Sequence, residues 1–391
     1  MPCIPQHGNL CAGHGHPPRA ERPANPWSLF VKLSRYLLGL APAAALFLAA
    51  CGGGSDPAPL ATAFTARTVV SDGSVPSTQT DPNLKNGWGI AFNPQGFVWV
   101  TATATQKSTL YDGNGVPQSL VVTVPPAGSA PANPTGIVFS GGSDFQVTKD
   151  GVTGPSRFIF SSEDGSIAGW SPAADLNNAI VTYSDGAGGA VYKGLAIAAS
   201  GNANFLYATD FRNRKVDVFD GSFRKVRLAG DFSDTQLPAD YAPYGIQAIG
   251  SRIVVTYARQ DASRRNAVHG DATGAVNVFN ADGTLAQRLL PPGAPLNAPW
   301  GVALAPADFG GASGRLLIAN EGDGTIGAFD LATGLSKGVL AQRDGTVLRV
   351  DGLRGIAFGN GLNQQPLNTL FYIAGPNQGA NGAYGRVDLQ N

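Results

Sequence analysis

The chain has 391 residues, with 27 Lys and Arg against 27 Asp and Glu, 43% hydrophobic side chains and only 14% charged ones. So few charges exclude a long coiled coil, and zero net charge argues against nucleic acid as a partner held on a broad basic surface. The 52 Gly and 28 Pro exceed the usual share yet stay below that of a low-complexity chain, so they punctuate a regular structure, and short strands fit best.

Residues 1–51 read as a leader. Lys32 and Arg35 precede an apolar run of 14 residues, Leu37 to Ala50, which is short for a bilayer span and right for a signal-peptide core. The run ends Leu48-Ala49-Ala50-Cys51, which resembles a bacterial lipobox. That resemblance implies lipidation of Cys51 and a membrane anchor. With Gly rather than Asp at position 52, it implies the outer membrane of a bacterial envelope, facing the periplasm or the exterior. An ordinary secretory signal with an incidental cysteine is the alternative. Residues 1–30 fit no signal, which points to a translation start further in, for example at Val31. Residues 52–63, opening Gly52-Gly53-Gly54-Ser55, are expected to form a flexible tether, and 64–391 the folded body.

Within the body one pattern recurs. Its copies are Trp88-Gly89-Ile90-Ala91-Phe92, Thr135-Gly136-Ile137-Val138-Phe139 and Lys193-Gly194-Leu195-Ala196-Ile197. Tyr244-Gly245-Ile246-Gln247-Ala248, Trp300-Gly301-Val302-Ala303-Leu304 and Arg354-Gly355-Ile356-Ala357-Phe358 complete the set. The glycines are spaced 47, 58, 51, 56 and 54 residues apart. A second strand follows each copy, for example Phe97-Val98-Trp99-Val100 or Leu370-Phe371-Tyr372-Ile373. A third often ends in an aromatic and Asp or Asn, as in Val216-Asp217-Val218-Phe219-Asp220, and turn pairs such as Asp282-Gly283 come next. Four short strands every ~50 residues predict an all-β fold, a six-bladed β-propeller. Two unrelated β-sandwich domains are the alternative. The last unit lacks a fourth strand, and Thr65 to Val70 is strand-like and unassigned. We therefore expect the N-terminal strand to close the last blade.

The unit from Gly194 through Ala208-Thr209-Asp210-Phe211-Arg212-Asn213 to Asp220 resembles an NHL repeat. Asp81-Pro82-Asn83-Leu84, Glu163-Asp164-Gly165-Ser166-Ile167-Ala168-Gly169-Trp170 and Asn297-Ala298-Pro299-Trp300-Gly301 extend the likeness. Taken together, residues 65–389 resemble a family of bacterial exported proteins with a six-bladed TolB-like/NHL-like propeller. The resemblance implies fold and export, and no activity.

Propeller geometry orders the candidate residues. Those before each repeat glycine, Trp88, Thr135, Lys193, Tyr244, Trp300 and Arg354, should share one ring at one mouth of the channel. The loops after the second strands add Glu163, Asp164, Asp210, Arg212, Asn213, Gln260, Asp261, Asn320, Glu321, Asp323 and Asn377. Aromatic faces beside charges suit a protein or glycan ligand. The bland readings are turn residues, loop fasteners and a channel plug. Beyond residue 51 there is no Cys, and His269 is the one His, which leaves no disulfide framework, thiolate nucleophile or His-rich zinc site. Gluconolactonase-type propellers hold one divalent cation with Glu, Asn and Asp. Glu163, Asp210 and Asn320 have the oxygen chemistry for Ca²⁺, so a cation-dependent lactonase or esterase is the alternative function. A quinone-dependent sugar dehydrogenase would need His269 as base. Our expectation is a non-catalytic binding module, monomeric and without a cofactor, and a purely structural envelope component is a third reading.

Overall fold

In the computed structural model, which describes residues 58–390, the glycine-centred repeat forms the inner strand of each of six antiparallel sheets around one channel. The leader, Cys51 and most of the expected tether lie outside the described residues. Blade 1 runs Gly87–Phe92, Val98–Ala102, Lys107–Tyr111 and Pro117–Thr123, from channel to rim. The inner strands of the others are Pro134–Phe139, Tyr192–Ser200, Tyr241–Ile249, Pro299–Leu304 and Leu353–Phe358. The fold is the expected six-bladed propeller. The longest glycine spacing has a local cause: an inserted hairpin, Gln146–Lys149 with Val152–Pro155, sits between the first two strands of blade 2.

Period-two alternation decides where the core lies. In the second strand of blade 1, Val98 and Val100 face blade 6 and pack with Phe371, Ile373 and Tyr384. Trp99, between them, faces blade 2 and stacks on Phe158 with ring centroids 4.1 Å apart. The same sharing recurs between the other neighbours, so no blade buries its faces alone.

The recurring glycine is explained by this packing. A Cβ on Gly245 would lie 1.9 Å from the carbonyl oxygen of Trp300, one on Gly301 2.2 Å from that of Arg354, and one on Gly355 2.8 Å from that of Trp88. Each inner strand thus touches the backbone of the next blade, and the last contact joins blade 6 to blade 1. Threonines on second strands stitch the same contact. Thr256 Oγ1 accepts from Gly245 N (2.9 Å) and donates to the Pro299 carbonyl (2.7 Å). Thr101 and Thr209 do likewise in blades 1 and 3.

Closure follows the expected route. Strand Pro59–Ser71 pairs antiparallel with Ala383–Leu389, from Phe64 opposite Leu389 to Ser71 opposite Ala383. It begins earlier than expected, however. Residues 59–63, which the composition assigned to a tether, continue the strand and pair parallel with Ser336–Ala341 of blade 5. The reason is burial ahead: Phe64 is enclosed against Phe309, and Leu60 packs on the same cluster.

Candidate ligand-binding face

The ring residues do converge at one mouth of the channel. Trp88 lies between two cations, with Lys193 Nζ 4.5 Å and Arg354 Cζ 4.0 Å from its ring centroid. Trp300 meets Trp88 edge-on at 6.4 Å and donates through Nε1 to the Lys193 carbonyl (3.2 Å). Tyr244 packs on Phe211 at 4.9 Å. Thr135, by contrast, turns its hydroxyl to the Tyr192 carbonyl (2.9 Å) and serves blade packing. Five of these six side chains are buried, and Trp300 is half-buried.

Two glutamates from the expected loops neutralise the cations. Lys193, 0% exposed, donates to Glu163, whose other oxygen accepts from Asn133 Nδ2 (3.2 Å). Arg354 Nε donates to Glu321 Oε1 (3.0 Å), its Nη1 donates to Asn86 Oδ1 (2.7 Å), and the Tyr244 hydroxyl donates to Glu321. Burial opposes ionisation of Glu163, but Lys193, with Arg265 behind it, holds the carboxyl below the ordinary glutamate range. The same burial at Glu321 is overridden by Arg354, Tyr244, His269 and Lys193. Burial, reinforced by Glu321, pushes the Tyr244 phenol up. Both glutamates are thus held toward the ionised form by the cations beside them. Trp88 Nε1 is buried with no partner among the described residues.

The suggested cation donors are not gathered into a centre. Glu163 is engaged by Lys193. Asp210 accepts from Val191 N (3.1 Å), Asn213 N (3.3 Å) and Asn213 Nδ2 (2.7 Å), all within blade 3, and burial pushes its carboxyl up. Asn320 accepts from Asn297 N (3.1 Å) and donates to Thr325 Oγ1 (3.0 Å). Among the described residues no three His, Cys, Asp or Glu side chains stand close enough to hold a metal. Other loop candidates are fasteners: Gln260 donates to the Phe211 carbonyl (2.6 Å), Asp261 caps Arg265 N (3.0 Å) and Asp323 caps Thr325 N (3.0 Å). The Asn377 N–H donates to Asp351 (2.8 Å), and His269 is exposed.

Asn86, Asn133 and Arg265 escaped sequence reasoning. The two asparagines each sit three residues before a repeat glycine at φ 53, a left-handed conformation that Asn tolerates. That spacing was the available signal. Beside the ring opens a polar cleft of about 420 Å³, bordered by Glu163, Asp164, Arg212 and Arg265. Further along the inner strands the channel wall turns apolar, with Ile90, Ile137, Ile197, Ala248, Val302 and Ile356 around about 430 Å³.

Two proteins of Acanthamoeba polyphaga mimivirus, both named only as uncharacterized proteins, align over most of the chain. One is 32% identical over 327 residues, 82% of this chain and 78% of its own. The other is 33% identical over 299 residues, 74% and 77% respectively. The chain belongs to the family of these two mimivirus proteins. These relatives are viral, not the bacterial exported proteins that the residue resemblance pointed to. No protein-family model matches the sequence. Among solved structures the chain is similar to virginiamycin B lyase from Staphylococcus aureus (14% identity, 84% of this chain and 100% of that one, TM-score 0.45). It is also similar to the PQQ-bound aldose sugar dehydrogenase from Streptomyces coelicolor (14% identity, 85% and 100%, TM-score 0.48). At these identities and scores nothing about ligand or activity passes to this chain.

Proposed function

We propose that the protein is a non-catalytic binding propeller, tethered to a bacterial envelope by a lipid on Cys51, which takes a protein or glycan ligand on the mouth that carries the ring. The observation that carries this reading is the mutual neutralisation of Lys193, Arg354, Glu163 and Glu321 around Trp88 and Trp300. Such a rigid, paired floor can orient a ligand. It offers no carboxylate free to act as general base, and the three donors suggested for a cation are committed elsewhere. Half-buried Trp300 supplies the apolar face available to a ligand.

Two measurements test this. A peptide and glycan array probed with the full chain should give hits that Trp300→Ala loses. Turnover of lactones or esters with no Trp300-dependent hit would overturn the reading. Thermal melts in CaCl₂ should show no saturable response. A cation bound at ~100 Kd would stabilise by ~2.7 kcal/mol, and such a shift, absent in Asp210→Ala relative to its own baseline, would favour the hydrolase. For the anchor, metabolic fatty-acid labelling should mark the wild type and spare Cys51→Ser.

A further inference from the structure

We propose that the polar cleft beside the ring binds a carboxylate of an extended peptide, with Arg212 and Arg265 as its two receiving cations. The inference rests on the binding reading above and names the chemistry of that face.

The cleft holds charges of both signs, but its carboxylates have their hydrogen-bond partners within the chain, whereas its guanidiniums are largely without them. Glu163 is engaged by Lys193 and Asn133. Asp164 accepts from Ala127 N (2.9 Å) through one oxygen and from Ser166 N (3.0 Å) through the other. Asp185, behind the glycine loop, pairs with Lys225 at 3.3 Å. The arginines are not satisfied in this way. Arg212 is exposed and lies along Gly189, its Cζ 3.6 Å from where a Cβ would stand; its carbonyl accepts from Gln260 Nε2 (3.3 Å), but no hydrogen bond or ion pair holds its guanidinium among the described residues. Arg265 donates one long bond of 3.4 Å, to the Glu163 carbonyl. A guanidinium presents several N–H donors in a planar fork that matches a carboxylate, so two largely unpaired ones bordering a single cleft favour an anion.

The walls favour a peptide as its carrier. They are the segments 127–131 and 186–189, whose side chains are no larger than Ser or Pro. Along these bends and turns the main chain is little covered by side chains, which leaves peptide groups open to the amides of a peptide partner. No aromatic side chain lines the cleft, so a sugar ring would find no stacking platform there. The volume, about 420 Å³, falls in the range of small-ligand sites.

The experiment is fluorescence anisotropy on the full chain in detergent with three fluorescein-labelled peptides. Tetraglutamate amide carries side-chain carboxylates, tetraalanine with a free C-terminus carries only the terminal one, and tetraglutamine amide carries none. The expected result is saturable, salt-weakened binding of the first or the second, which tells the source of the carboxylate, and none of the third. Arg212→Ala and Arg265→Ala should each weaken it about ten- to hundredfold, with Arg212→Lys recovering part. Arg224→Ala, on an exposed turn, should leave it unchanged. Equal binding of all three peptides, binding indifferent to both arginines, or binding of none overturns the proposal. So does trigalacturonate held more tightly than either peptide in an Arg212-dependent way. Trp300-dependent array hits that survive Arg212→Ala would sink the cleft alone. An absence of hits from both tests would sink the binding reading with it.

Discussion

Lys193 is a cation with no exposed surface, and its partner Glu163 is exposed only along the edge that borders the cleft. Removing one member of such a pair leaves the other uncompensated in a poorly solvated site, at a cost of about 3–5 kcal/mol. Lys193→Met should lower urea-unfolding stability by that order. The double variant Lys193→Met/Glu163→Leu should recover much of the loss, and equal stability of single and double variants would refute the coupling. The glutamates also set the acid behaviour. Their folded carboxyls titrate below the free value of 4.5, so the stability they contribute is complete above that pH and is lost as pH falls through the folded value. Melting temperature should therefore drop below about pH 4.5, and Glu321→Gln should flatten that part of the profile.

The inner strand depends on its glycine and on the threonine of the next strand. At Gly245 a methyl group would meet the Trp300 carbonyl at 1.9 Å, a backbone atom that cannot swing aside. Gly245→Ala should cost about 1–3 kcal/mol through overpacking, whereas Gly128→Ala, with nothing within 4 Å, should stay within about 0.5 kcal/mol of wild type. Thr256→Val keeps the shape of the side chain but strands the Gly245 N–H and the Pro299 carbonyl. Chemical denaturation should show a loss of about 1–3 kcal/mol. Blade 5 carries Ala319 at the corresponding position and makes no such stitch, so the repeat glycine, not the threonine, is the obligatory element.

At the scale of the ring, strand 59–71 belongs to two blades at once. Deleting residues 58–71 removes the outer strand of blade 6, exposes its edge and empties the site of Phe64. Loss of a buried Phe side chain alone costs about 3–5 kcal/mol. Calorimetry should therefore find a far lower melting temperature for the truncated chain, and an unchanged one would refute closure through this strand. The number of blades, the inner-strand glycines and the ring at the mouth were legible in the sequence because each follows from a local repeat with a fixed period. The same repeat placed Trp88, Lys193, Tyr244, Trp300 and Arg354 together without saying what they touch. Which carboxylate neutralises which cation was decided only by tertiary structure, since Glu163 reaches Lys193 across blades 2 and 3, and Glu321 reaches both Tyr244 and Arg354 across blades 4 to 6. Register explains why Asp210 and Asn320, which the sequence grouped with Glu163, turn into their own loops: they pair with Tyr192 and Pro299 as Ser162 pairs with Pro134, one residue before the position of Glu163 and Glu321. Periodicity records the chain's local geometry, and contacts between distant segments depend on the three-dimensional closure that the period alone does not encode.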